Sequence, residues 1–181
     1  DVSQIRGAFD KTLMELLTEA RGVEATAPLS YGFFKETGIE LDKRFKRYFF
    51  ARIEKFIADN TKMNVKHSLY DLVQNTGSVN GFHIEHILAD NQENLDLFGG
   101  DEDKFKSERN RLGGLLLLKG KDNITSNNET YKKKLKTYAN TLYWNETLRE
   151  DTYTKKLDFS NMMTTYKLNF KPVADFGQSE L

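Results

Sequence analysis

His83-Ile84-Glu85-His86-Ile87-Leu88 is the stretch that decides the fold of this chain. Asn80-Gly81 stands before it and a polar, Gly-containing segment, 90–101, after it, so the run from Phe82 to Leu88 predicts a short strand. The chain holds three histidines, His67, His83 and His86, and two of them lie in these six residues. Working outward, 102–111 reads as a short charged helix. Leu112 to Leu118 reads as a second strand, apolar throughout and therefore buried. Lys119 to Thr125 reads as a turn. Ser126-Asn127-Asn128-Glu129 then has the spacing of a capping box, and the helix it opens carries Tyr131, Leu135, Tyr138 and Leu142 on one face. Strand, loop, strand, turn and helix make a ββα order. It sets a carboxylate beside an imidazole on the first strand and returns an amide, Asn123, after the second.

Further out the chain is helical. Ile5, Phe9, Leu13, Leu16 and Leu17 recur at helical spacing within 3–20, and Gly22 to Gly38, with Pro28, reads as a loop. Residues 42–58 have the clearest periodicity. Phe45, Tyr48, Phe49, Ile53, Phe56 and Ile57 form one stripe, which predicts a core helix packed beside the ββα element. A short helical segment is expected near 67–74. The tail is expected to hold one helix around 145–150 and irregular or strand-like structure near 162–171. The domain reading is a helical scaffold over 1–80, the ββα element over 81–142 and a C-terminal extension over 143–181. The chain begins at Asp1 with residues that already read as helical, so it is expected to be the C-terminal part of a longer protein.

Composition narrows the function. The 181 residues have a formal net charge of zero, which argues against a bulk polycation coating nucleic acid. From Asp103 to Lys136, however, ten bases face four acids. Lysine runs are usually solvated helix faces. Here the excess coincides with the motif and points to a phosphate-facing surface, with Lys119, Lys121, Lys132, Lys133, Lys134 and Lys136 as the candidate DNA contacts. There is no cysteine, so neither disulfides nor thiolate metal sites are available. No apolar run approaches the ~18 residues of a membrane span, and no membrane partner is expected.

A carboxylate, an imidazole and an amide gathered on such an element suit phosphodiester hydrolysis. A histidine titrating near neutrality can take the proton of the attacking water. A divalent ion held by oxygen ligands can offset the charge developing on the phosphate. Adjacent strand residues point to opposite faces, so Glu85 and His86 can share one site only at the edge of a twisted strand.

Residues from about 45 to 141 resemble the C-terminal HNH domain of GmrSD-like type IV restriction enzymes. The matching pieces are Arg47-Tyr48-Phe49-Phe50-Ala51-Arg52-Ile53-Glu54, the 83–88 hexapeptide, Arg111-Leu112-Gly113-Gly114-Leu115-Leu116-Leu117-Leu118, Asn123, Ser126-Asn127, and Lys133 or Lys134 with Tyr138. The resemblance implies a mainly α fold with a small ββα-metal (HNH, or His-Me finger) element. It implies a metal-dependent DNA endonuclease or nickase of a phage-defence restriction system, acting on double-stranded DNA in a prokaryotic cytoplasm. His86 becomes the general base, and Glu85 and Asn123 become metal ligands for Mg²⁺ or Mn²⁺. His83 and Asn127 become additional site residues, His83 either touching DNA or metal or standing as a partly exposed strand histidine. A nucleotide-hydrolysing, DNA-sensing N-terminal domain becomes the partner. No G-x-x-x-x-G-K-[ST] loop is present, in keeping with that domain lying outside this chain.

Two positions depart from the family pattern. Ala89 replaces a proline after His-Ile-Leu, and Gly114 replaces the asparagine after Leu-Gly, which steadies the base histidine in HNH sites. Either the backbone or a neighbour such as Asn110 or Asn127 substitutes, or activity is reduced. A degenerate HNH domain that binds DNA or docks a partner without cleaving is the alternative. Gly114→Asn is expected to raise the rate if the backbone there does not need positive φ.

Overall fold

A computed structural model describes residues 42–126 and 128–181, and eight positions between 7 and 19. Those eight positions are helical, as the spacing there predicts. The rest of the 3–20 segment, the loop around Pro28 and Asn127 lie outside the described residues. The chain divides into two compact units, Asp1–Thr37 and Gly38–Leu181, and the second carries the motif. Within it the described residues form nine α-helices and one two-stranded antiparallel sheet.

The second unit opens with α1, Lys43–Asn60. Asp42 caps it, its Oδ1 accepting from the amides of Arg44 at 2.7 Å and Phe45 at 2.9 Å. The face it buries differs from the expected stripe. Phe50, Ala51, Glu54, Ile57 and Ala58 are buried, while Phe45, Tyr48 and Phe56 stay exposed. The helix has a wide apolar arc, and packing selects the register one residue along from the stripe that reads most strongly. Glu54 is buried because its Oε2 accepts the amide of Trp144 at 2.9 Å, at the start of another helix. A carboxylate on free N–H groups is well placed.

Leu69–Gln74 (α2) is capped by Ser68, close to the expected 67–74. Strand β1, Phe82–His86, pairs antiparallel with β2, Leu115–Lys119, so that Glu85 lies opposite Leu116 and His86 opposite Leu115. The amide of Ile87 donates to the carbonyl of Gly114 at 2.9 Å and extends the ladder past His86. The connection holds α3, Gln92–Asp96, and α4, Glu102–Arg109, then a 3₁₀ turn over Leu112–Gly114. All four leucines of β2 are buried, as their unbroken run predicts. Leu116 and Leu118 enter a core with Ile87, Leu88, Phe105, Tyr131 and Tyr138, while Leu115 and Leu117 point the other way.

Directly after β2 the structure departs from the expected turn. Gly120–Ser126 is a helix, α5, packed on both strands. Gly120 has room for no side chain, because a Cβ there would meet the Ser78 carbonyl oxygen at 2.0 Å. The expected capping box does not form. The next helix, α6, Tyr131–Thr137, begins five residues after Ser126 with Thr130 at its N-cap, and the Ser126 hydroxyl is used elsewhere. The tail holds α7 Tyr143–Glu146, α8 Glu150–Lys155 and α9 Leu157–Tyr166. Of the irregular or strand-like structure expected near 162–171, the part up to Tyr166 is helical and the part from Leu168 is irregular, with no strand. Phe159 and Met162, three apart, bury together with Ile57 and Ala58 of α1, and that packing overrides the β-branched Thr164 and Thr165. Among the described residues no helix is long and apolar enough to cross a membrane.

Candidate active site

His86 ends β1 on the face opposite Glu85, as alternation requires. Its Nε2 lies 2.9 Å from Oδ1 of Asn110, the residue that closes α4. The Asn110 amide nitrogen donates to the Lys106 carbonyl at 2.7 Å, which commits Oδ1 to accepting. His86 therefore carries its proton on Nε2 and presents Nδ1 as the basic nitrogen. Burial holds the ring's pKa below its ordinary 6.5. The Asn110 bond opposes that shift, and the charges of Arg109, Lys134 and Lys46 add to it. The ring is neutral at pH 7. Arg109 is fixed in turn: its Nε and Nη2 donate to the Leu88 carbonyl at 3.3 and 3.2 Å, and its Nη1 lies 3.6 Å from Asp90.

Asn110 thus holds His86, and Gly114 takes part through its main chain alone, its carbonyl accepting from Ile87 and its amide donating to Arg111. An asparagine does not fit at 114. Its Cβ would stand 2.6 Å from the Arg109 carbonyl oxygen and 2.7 Å from a Leu181 methyl. The expectation that Gly114→Asn quickens the reaction is corrected on that ground. The backbone there has no positive φ, but the space is taken by main chain. Gly114→Asn is expected to lower stability by about 1–3 kcal/mol, as overpacking does, with no gain in rate. Thermal unfolding beside a nicking time course checks it, and a faster variant with unchanged melting would reverse it.

Glu85 occupies a different setting. It is 5 % exposed, on the face shared with Leu116. The Lys134 ammonium, itself 1 % exposed, sits 2.5 Å from Oε1 and also donates to the His86 carbonyl at 2.7 Å. The Ser126 hydroxyl lies 3.4 Å from the same carboxylate oxygen. Burial pushes the Glu85 carboxyl up, and Lys134 opposes that. Lys134, expected to face phosphate, is instead a buried partner of Glu85. Sequence contained the signal for this: 131, 134 and 138 fall on one helical face, and Tyr131 and Tyr138 are buried.

A divalent ion on Glu85 needs further oxygen or imidazole donors and room beside the carboxylate. Among the described residues Oε1 of Glu85 meets one ammonium and one hydroxyl, and the His86 carbonyl is already bonded to that ammonium. Among the described residues no group of three or more His, Cys, Asp or Glu side chains is placed to hold a metal ion. As arranged, these residues do not fit Mg²⁺ or Mn²⁺ at Glu85.

The other candidates are distributed around this centre. Asn123 lies half-buried on α5, and its carbonyl accepts from the Ser126 hydroxyl at 3.3 Å, so its helix turn is tied to Glu85. His83 shares the Glu85 face of β1, and its Nε2 lies 3.3 Å from the Gly77 carbonyl oxygen. Asn127 lies outside the described residues. Lys121, Lys132, Lys133 and Lys136 are exposed and Lys119 is half-buried; Lys132 pairs with Asp175 at 3.0 Å. Comparison with curated proteins and with solved structures returned no match. A family model describing the C-terminal domain of GmrSD restriction endonucleases matches residues 34–161, which takes in α1, both strands and every candidate residue above. With that match over well more than half its length, the chain belongs to the family of GmrSD restriction endonuclease C-terminal domains.

Proposed function

We propose that this domain is an HNH-type DNA endonuclease or nickase in which His86 is the general base. The observation that supports this most is the hold of Asn110 on Nε2, which leaves Nδ1 as the basic nitrogen of a ring whose pKa burial lowers. Water at Nδ1 gives its proton to the ring as its oxygen attacks phosphorus. The P–O bond to the leaving sugar oxygen breaks, and that oxygen takes a proton from solvent. Lys46 and Arg109 place positive charge around the ring, where a phosphate would arrive. Lys119, Lys121, Lys133 and Lys136 would hold the duplex through its phosphates without reading sequence. Mg²⁺ or Mn²⁺ is implied by the family resemblance, but no step here runs through it, because Glu85 as arranged does not receive it. The rest of a restriction enzyme, with its nucleotide-hydrolysing and DNA-sensing parts, is the proposed partner.

Plasmid nicking followed across pH tests this reading. The base acts only when deprotonated, and its pKa lies below 6.5. The rate should be flat above that value and fall as pH drops through the His86 pKa. An acid limb centred at or above pH 7 would point to a different base. The second reading, a DNA-binding or docking module without cleavage, is favoured by the ammonium lodged on Glu85. It predicts salt-sensitive DNA binding and no nicking at any pH.

A further inference from the structure

We infer that the cation belonging to Glu85 is the ammonium of Lys134, and that this carboxylate fastens the base-bearing strand to α6 instead of binding a divalent metal. The geometry carries it. One ammonium bridges the Glu85 carboxylate at 2.5 Å and the His86 carbonyl at 2.7 Å. Both side chains of the pair are almost wholly enclosed, at 7 % and 1 % exposure. The Ser126 hydroxyl of α5 donates to the same Oε1 at 3.4 Å. Buried charge is tolerated only when paired and hydrogen-bonded, and this pair meets that condition without an ion from solution. A divalent ion at Oε1 would have to expel the ammonium from contact and bring several oxygen ligands into a space beside a side chain that is 7 % exposed.

The consequence is a division of labour between the two faces of β1. The imidazole of His86 works on one face, while on the other Lys134 pins the peptide group that carries it. Lys134 is in this sense a positioning residue: it touches the main chain of the base and not the substrate. The inference deepens the nuclease reading of the same site, and its test is read on metal and not on cleavage, so each can fail alone.

The test uses the whole chain, ¹⁵N-labelled and titrated with MnCl₂, alone and with an uncleavable phosphorothioate duplex. Paramagnetic Mn²⁺ broadens amides near its seat. The expected result is that the amides of Glu85, Ser126 and Lys134 broaden no more than surface amides in either arm, whether Mn²⁺ binds elsewhere or nowhere. Glu85→Gln should bind Mn²⁺ within twofold of wild type. Selective broadening at Glu85 and Ser126 in either arm, or a tenfold loss of Mn²⁺ affinity in Glu85→Gln, would overturn the inference. Should Glu85→Gln fail to fold, the wild-type broadening map decides by itself.

Discussion

His86→Ala is expected to reduce DNA cleavage by about 10²–10⁴-fold, the usual worth of a positioned general base. The ring is half-buried at the end of β1 and bonds Asn110 through Nε2, so its loss removes one hydrogen bond, about 1 kcal/mol, and a modest apolar contact. The strand pair survives, since Glu85, Ile87 and the leucines of β2 hold it without the imidazole. DNA affinity should be nearly unchanged, because the lysines are the proposed phosphate contacts. Supercoiled-plasmid nicking at pH 7.5 and a salt-series binding assay on the same two proteins separate the effects. Equal cleavage by wild type and His86→Ala would take His86 out of the mechanism. Lost cleavage accompanied by lost binding would mean that the ring holds DNA and does not activate water.

Lys134→Met is expected to destabilise the domain strongly, by about 3–5 kcal/mol. Removing one member of a buried ion pair leaves the other charge enclosed and unpaired. Glu85 would be forced toward its protonated form, and the His86 carbonyl would lose its donor. Met matches the length of the lysine stem, so the loss reflects the charge and its bonds and not a cavity. Glu85→Met combined with Lys134→Met should recover most of the stability, since an apolar pair of similar volume needs no partner. Urea unfolding of the four proteins closes the double-mutant cycle. A loss below about 1 kcal/mol in Lys134→Met would mean that solvent reaches the pair and that the enclosure described above is wrong.

Much of the site was legible in the order of residues. Residue pattern and turn residues placed the first strand at 82–88 and the second at 112–118, against 82–86 and 115–119 in the structure, and β2 buries all four of its leucines. Helix α4, Glu102–Arg109, was legible from its charged composition over 102–111, and in the structure Asp101 caps it. What failed locally failed for tertiary reasons. The segment after Lys119 reads as a turn because Gly120, Asp122 and Asn123 favour turns in isolation. It is helical because it packs on both strands. Ser126 and Glu129 have the spacing of a capping box, yet the serine hydroxyl is drawn to Glu85, 41 residues away in the chain. On α1 the strongest apolar stripe lies beside the face that is buried.

By itself the sequence determined the family and the two-strand motif, and it put Glu85 and His86 on a strand that must present them to opposite sides. These follow from residue order and from the period-2 geometry of a strand. Only the tertiary structure decided which partner each received. Asn110 reaches His86 from across a 24-residue connection, and Lys134 reaches Glu85 from 49 residues on. Such pairings depend on how α4 and α6 dock on the sheet. An ammonium on a helix reads as a surface charge until its neighbours along the same face, Tyr131 and Tyr138, are seen to enter the core and carry it in with them.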